Sequence, residues 1–484
     1  MARGWLHSLR LVVLAVAALA PQLAAQTAHP KTATPVTALL VSDVHFEPFW
    51  DPDKVPQLVA APASQWQSIL SSPPSQNQAK DFDKLQKKCK VRGDDTDYTL
   101  FASSLAAMKA QAQGALFITI SGDLISHSFT CKYDDVVKNS TPQQYQDFVV
   151  KTMQFVLDSF RAALPSAQVY AALGNNDSGC GDYQIDPNSS FLSASAPIFT
   201  SQLSKKESKN ATVAFGAEGD YKAALPAPFK HTYLLILDDL FQGRKYQTCE
   251  GKSDSTGANA QIAWLSGELA KARKNHEQVW VMGHIPPGID PYSSIKKNAK
   301  VCGGKDPDLF LSSDDLANTL AQYGDVIKLG IFAHTHMDEM RLLAPAKGTP
   351  VAIKMVSSIS PVDGNNPSFT IASVDPGSAA LLDYHVIAAS NQTGVDTTWT
   401  QEYDYAQTYS EPSYSGKDAQ ALIGKLTADP STPSQDDKSY MQNYFVGADN
   451  NQKYELGFFW PQYACALQNY TASSYSACSC AAAK

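Results

Sequence analysis

Thr37-Ala38-Leu39-Leu40-Val41 runs directly into Ser42-Asp43-Val44-His45. The apolar, β-branched run reads as a buried strand, and the residues that end it are of the kind that ligate cations. The same figure recurs along the chain. Residues 115–120 lead into Ser121-Gly122-Asp123, 168–173 into Gly174-Asn175-Asn176-Asp177, 278–282 into Gly283-His284, and 326–332 into Ala333-His334-Thr335-His336. A further strand is expected at 231–237. Helical periodicity occupies 98–113, 144–163, 258–275 and 316–323. Strands alternating with helices imply β-α-β units and a largely parallel sheet. In such sheets ligand sites gather beyond the carboxyl ends of the strands, so these motifs are expected to meet at one rim.

Working outward, the runs at 341–343, 351–356, 368–374 and 380–387 have no strong helices between them and predict a second sheet of mixed or antiparallel strands. Residues 418–427 and 439–446 read as short helices of a C-terminal region. Residues 48–97, rich in Pro, Ser, Gln and Lys, read as a long irregular excursion. Its aromatics Phe49, Trp50 and Trp66 could serve in transient contact with a membrane surface, although scattered aromatics usually pack inside.

At the N-terminus, Arg3 and Arg10 flank the start of a short apolar run over 11–20, and Leu23, Ala24 and Ala25 offer a cleavage point. This is the pattern of a secretory signal peptide over 1–25, with an uncleaved anchor as the alternative. The protein is therefore expected to be secreted or extracytoplasmic, and periplasmic if its source is bacterial. Eight cysteines in an exported chain favour disulfides, whose connectivity the sequence does not give. Asn139, Asn188, Asn210, Asn391 and Asn469 stand in Asn-x-Ser/Thr patterns, which act as glycosylation acceptors only in a eukaryotic secretory pathway. The formal charge of −8 argues against a nucleic-acid-binding surface.

Asp43, His45, Asp123, Asn175, His284, His334 and His336 offer carboxylate, amide and imidazole donors and no thiolate. That set suits zinc, manganese or iron. A carboxylate can bridge two ions about 3.5–4 Å apart, the arrangement that clamps an in-line displacement at phosphorus. Each motif alone is weak, since Gly-Asp after a strand is commonly a turn. Their order and shared placement give the specificity. His127, four residues past Asp123, is a candidate acid or a peripheral histidine. His231, His276 and His385 read as structural.

The set Asp43-x-His45, Gly122-Asp123, Gly174-Asn175-x-Asp177, Gly283-His284 and His334-x-His336 resembles the calcineurin-like metallophosphoesterase superfamily over roughly residues 37–390. Within it, Gly122-Asp123-Leu124-Ile125-Ser126-His127, Gly283-His284-Ile285-Pro286-Pro287-Gly288 and Ala333-His334-Thr335-His336-Met337-Asp338-Glu339 look like the acid sphingomyelinase-like phosphodiesterases. Ser360-Pro361 with Asn365-Asn366-Pro367 and the cysteine-containing tail resemble them more weakly.

The resemblance implies an α/β fold, a two-sheet β-sandwich flanked by helices. It places the catalytic domain at 36–395 and a helical, cysteine-containing region at 396–484. It implies one divalent ion, zinc first, on Asp43, His45, Asp123 and His336. The second falls on Asp123, Asn175, His284 and His334, with Asp123 as the bridge. Metal-bound hydroxide would attack a phosphodiester, and His127 would protonate the leaving group. The partner is then a small-molecule or phospholipid ester, of the sphingomyelin or nucleotide type. One departure bears on activity: Asn176 stands where the family has a catalytic histidine near the phosphate, and at that catalytic position Asn can donate a hydrogen bond but cannot act as a general acid. A phosphomonoesterase, a polyphosphate-cleaving enzyme, or a metal-containing binding protein of weakened activity are the alternatives.

Overall fold

The computed structural model describes Met1 and residues 34–428, 433–449 and 452–482. The leader read over 1–25 lies, Met1 apart, outside them. Twelve strands are described: β1 Val36–Val41, β2 Phe117–Ser121, β3 Gln168–Ala172, β4 Tyr221–Ala224, β5 Thr232–Ile236, β6 Gln278–Met282, β7 Ile327–Phe332, β8 Glu339–Leu343, β9 Val351–Met355, β10 Ser368–Val374, β11 Leu381–Ala389 and β12 Trp399–Asp404. They form two six-stranded sheets, ordered β12-β11-β10-β1-β2-β3 and β4-β5-β6-β7-β9-β8. The expected two-sheet α/β architecture flanked by helices is what the chain adopts, but the strands divide differently from the reading. The parallel strands split into β1–β3 and β5–β7 in separate sheets, and the later runs split likewise, β8 and β9 joining the second sheet and β10 and β11 the first.

β1, β2 and β3 run parallel, as do β5, β6, β7 and β9. Antiparallel strands complete both sheets: β10, β11 and β12 in the first, β4 and β8 in the second. β2 is buried along its whole length, which explains an apolar run without alternation. Both sheets contribute to one core. Phe117 of β2 meets Trp280 of β6 edge-on at 5.7 Å. Tyr170 and Tyr221 each donate a hydroxyl hydrogen bond to the other sheet, to Ala224 O at 2.6 Å and Ala171 O at 2.8 Å. Such bonds satisfy buried phenols that would otherwise cost stability.

The excursion over 48–97 is more ordered than its composition predicts. It holds helices Val55–Ala60, Trp66–Leu70 and Gln78–Cys89. In the last of these, Phe82 and Leu85 turn inward while Lys and Gln cover the outside, so the few apolar positions are hidden in a polar string. Phe49 and Trp66 are fully buried and pack on Phe148 of the helix Pro142–Ala163. They serve the core rather than the surface.

Helices Ser190–Thr200 and Lys205–Glu218 were not anticipated. Residues 399–404, read with the C-terminal helical region, are instead the edge strand β12. Helices then occupy most of the described chain from Tyr405 to Ala482. All eight cysteines are paired, as Cys89–Cys131, Cys180–Cys249, Cys302–Cys480 and Cys465–Cys478. Among the described residues no helix is long and apolar enough to cross a membrane.

Candidate metal centre

Each of the five motifs follows the carboxyl end of a parallel strand: β1, β2, β3, β6 or β7. The backbone turns sharply there. Asp43, His45, Asp123, His334 and His336 have φ of 43°, 43°, 54°, 75° and 65°. Non-glycine residues in this region cost about 1–3 kcal/mol each and cluster at functional sites. The turns also need close approach. A Cβ on Gly174 would lie 2.2 Å from Asp123 Oδ1, and one on Gly122 (φ 88°) 2.7 Å from His284 Nδ1.

Two carboxylates hold the turns from behind. Asp177 accepts from the backbone N–H groups of Leu124, Ile125 and Gly174 at 2.8, 3.1 and 2.9 Å, tying the β2 turn to the β3 turn. Asp239 accepts from His284 and Ile285 N–H at 2.9 and 3.0 Å and fixes the β6 turn. Motif reading did not assign a role to either carboxylate, because their partners are backbone amides, which leave no residue signature.

All seven predicted donors are brought together. His45 Nε2 is 3.1 Å from His336 Nε2 and 3.4 Å from Asp123 Oδ2. His336 Nε2 is 3.5 Å from Asp43 Oδ1. On the other side of Asp123, His284 Nε2 is 3.2 Å from Asp123 Oδ2 and 3.2 Å from Asn175 Oδ1. His334 completes a group with Asp123 and His284 in which the donor atoms lie within 4.8 Å of one another, and Asp43, His45 and Asp123 form another. Asp123 is common to both.

The donors are prepared for cations. The Nδ1 atoms of His45 and His284 lie 3.0 and 2.8 Å from the carbonyl oxygens of Ile125 and Ser121. Donation there fixes the orientation of each ring and aims each Nε2 at the cluster. Burial opposes a charge on His284, but Asp123 and Asp43 outweigh it and push that ring up to about 10, so a cation there takes the place of a proton. Burial pushes His45 down to about 4 and His336 down to about 3, so both rings are neutral. Asp43 Oδ1 is fully buried and has no hydrogen-bond partner, although the Nε2 atoms of His45, His284 and His336 lie 3.8, 4.0 and 3.5 Å away. An orphaned carboxylate oxygen ringed by imidazole nitrogens is costly without a cation and stable with one. Burial raises Asp43 to about 7, the response of a carboxylate that lacks its positive partner. The residues fit divalent metal.

His127 forms the adjoining wall. Its ring stacks on that of His45 at 3.9 Å. Asp95 accepts from its backbone N–H at 2.8 Å and its ring Nδ1 at 2.9 Å. Burial opposes a charge on this ring, but Asp95 outweighs it and pushes His127 up to about 9. Asp95 also accepts from Ser360 Oγ at 3.0 Å and lies 3.9 Å from the buried Lys132, which is paired with Glu47. Glu47 thus supports this wall through Lys132. Asp95 was missed; it stands 32 residues before its partner and outside every motif.

Asn176 is turned toward Asp123. Its backbone N–H and its Nδ2 donate to Asp123 Oδ1 and Oδ2 at 2.9 and 2.8 Å. Asp182, also missed, accepts from Asn175 Nδ2 at 2.7 Å and so fixes which way the amide oxygen of Asn175 faces.

Comparison with known proteins agrees with this geometry. The chain is similar to the cyclic GMP-AMP phosphodiesterase SMPDL3A of Mus musculus, 25% identical over 395 residues, 79% of this chain and 81% of that one. It is also similar to acid sphingomyelinase-like phosphodiesterase 3b of Homo sapiens, 24% identical over 406 residues, 79% of this chain and 80% of the other. Sphingomyelinase phosphodiesterase C of Dictyostelium discoideum is 23% identical over 354 residues, 69% of this chain and 72% of that protein. The model of the calcineurin-like phosphoesterases matches residues 36–338, a span that contains all seven donors, and the chain belongs to that family.

Proposed function

We propose that the protein is an exported phosphodiesterase that works with two divalent ions, zinc in the first place and manganese or iron as alternatives. The observation that carries this reading is the seven-donor cluster divided by Asp123, with His127 stacked on one of its donors. Asp43, His45, Asp123 and His336 hold one ion. Asp123, Asn175, His284 and His334 hold the other. When bound, the ions polarise the phosphoryl group and acidify water.

The remaining work belongs to side chains. Asp95 accepts a hydrogen bond from the Nδ1–H of His127 and holds the ring protonated, so that the Nε2–H is free to go to the departing oxygen. Asn176 keeps the Asp123 carboxylate oriented. The pairing of all eight cysteines supports an oxidising, extracytoplasmic location.

Substrates of the sphingomyelin and nucleotide types are both represented in the relatives' names. A cleft of about 170 Å³ beside His127 and Asn176 supports the nucleotide type, because Lys90 and Arg92 line it and are exposed. Asp182 and Asp363 line it too, but Asp182 accepts from Asn175 and Asp363 stands 3.6 Å from His336. A second anionic group suits this wall better than a choline cation.

The test is turnover, with and without chelator, on bis(p-nitrophenyl) phosphate, p-nitrophenyl phosphate, sphingomyelin and a dinucleotide. Chelator-sensitive hydrolysis of the diesters, with the dinucleotide favoured over sphingomyelin, is expected. Hydrolysis of the monoester alone would replace the proposal with a phosphomonoesterase. No chelator-sensitive hydrolysis would leave a metal-containing binding protein.

A further inference from the structure

β11 and β12 lie at the edge of the first sheet, and His385 stands opposite Asp404 in their antiparallel register. Asp383 is two residues from His385 on the same strand and therefore shares its face. One donor atom from each of the three lies within 4.8 Å of the others. None of them belongs to the strand-end rim.

Both carboxylates are oriented by the backbone. Asp383 Oδ1 accepts from the N–H groups of Tyr384 and Ala406 at 2.8 and 3.0 Å. Asp404 Oδ1 accepts from Gln407 N–H at 2.7 Å and caps the helix Tyr405–Tyr409. Each keeps Oδ2 for another partner. No lysine or arginine among the described residues forms an ion pair with either acid.

The contact between His385 and Asp404 is unusual. His385 Nδ1 lies 2.9 Å from Asp404 Oδ2, yet this buried nitrogen makes no hydrogen bond. Its N–H direction does not meet the oxygen, and an N–H···O bond at that distance depends on alignment. Two donors held about 2.1 Å from one cation, about 90–110° apart, sit about 3.0–3.4 Å from each other without pointing at each other. The principal centre has contacts of the same length, His284 Nε2 to Asp123 Oδ2 at 3.2 Å and His45 Nε2 to the same oxygen at 3.4 Å.

We infer that Asp383, His385 and Asp404 form a third divalent-cation site, separate from the catalytic pair. One imidazole and two carboxylates suit zinc, nickel or copper better than calcium, which takes six to eight oxygens. Three protein donors leave a position for water, so this site binds more weakly than a four-ligand structural site. A cation here clasps β11 to β12 and to the first turn of the helix that follows. That is the point where the sheet gives way to the C-terminal helices. His385, which sequence reading takes as structural, thereby acquires a partner.

The test is zinc stoichiometry on the whole protein, stripped with chelator and titrated back, with metal content measured by mass spectrometry. Wild type should take up three equivalents, the last the weakest. His385→Gln should take up two. So should Asp404→Asn, whose amide oxygen still caps the helix. Hydrolysis of bis(p-nitrophenyl) phosphate should stay within about twofold in both variants, since neither touches the rim. Zinc beyond two equivalents should raise the melting temperature of wild type only, as expected of a ligand that binds the folded state alone. The inference falls if wild type saturates with no more zinc than the variants, or if both variants keep the weak equivalent. Because the reading is a difference of one equivalent, it holds whether or not the chain hydrolyses esters.

Discussion

The strand-end rim and the wall that carries His127 are in contact, His45 stacking on His127 at 3.9 Å, but they are held in different ways. On the rim the backbone places the donors. Five of the seven sit at positive φ, and Asp177 and Asp239 lock the turns through amide hydrogen bonds. On the wall, side-chain charge places the group. His127 is oriented by Asp95, and Asp95 by Ser360 and Lys132. The Cys89–Cys131 disulfide ties the end of the helix Gln78–Cys89 to the segment after His127. A site built this way separates two tasks. The rim fixes where cations bind, and the wall fixes where a proton is kept.

The strongest test of that separation is Asp123→Ala. Asp123 is common to both donor groups, so its loss should remove the ions as a pair and lower kcat/KM by at least about 10³-fold, the several kcal/mol that metal ions supply. Metal content and turnover should fall together. Full occupancy by two ions in this variant would break the assignment of Asp123 as the bridge.

His127→Ala should leave metal content unchanged and lower turnover by about 10²-fold on diesters with poor leaving groups. The fall should be only a few-fold on bis(p-nitrophenyl) phosphate, whose phenolate needs little help to leave. Equal losses on both substrates, or loss of metal, would move His127 from the wall to the rim.

How much of this was legible follows the same division. The rim could be read because each donor follows an apolar strand at once, so periodicity and residue type coincide at Asp43, Asp123, Asn175, His284 and His334. The parallel core strands could be read for the same reason. The wall could not. Asp95 lies in a polar stretch, and only the folded chain brings it to His127. Helix Gln78–Cys89 was hidden because only Phe82 and Leu85 turn inward. Strand β12 was hidden by its position at a sheet edge, where its outer residues need not be apolar: Thr400 and Gln401 are exposed. The disulfide partners were unreadable because their separations, from 13 to 178 residues, reflect tertiary contact alone.

Asp95→Asn is the finer probe of the wall. The substitution keeps a hydrogen-bond acceptor and removes the charge that pushes His127 up to about 9. A histidine whose pKa is raised by its partner stays protonated until pH passes that value. Turnover that needs its proton should therefore be lost as pH rises, and in Asp95→Asn the loss should begin at lower pH, toward the ordinary histidine value of about 6.5. At neutral pH the rate should fall about tenfold, with metal content intact. An unmoved basic limb in the pH–rate profile would mean that Asp95 is only a packing partner.

The smallest effect is expected at Asn176, and it decides to which region that residue belongs. Sequence reading sets it beside His127, in the place of a histidine that helps the leaving oxygen. The structure turns it the other way, with Nδ2 on Asp123 Oδ2 at 2.8 Å. Asn176→Ala removes one of the two hydrogen bonds that residue 176 gives the Asp123 carboxylate and keeps the other, from its backbone N–H to Oδ1. The expected loss is less than about tenfold. It should be the same for good and poor leaving groups, because orienting a bridging carboxylate does not depend on the departing oxygen. A loss that grows with leaving-group pKa, as for His127→Ala, would return Asn176 to the wall and give the site a second group acting on the leaving oxygen.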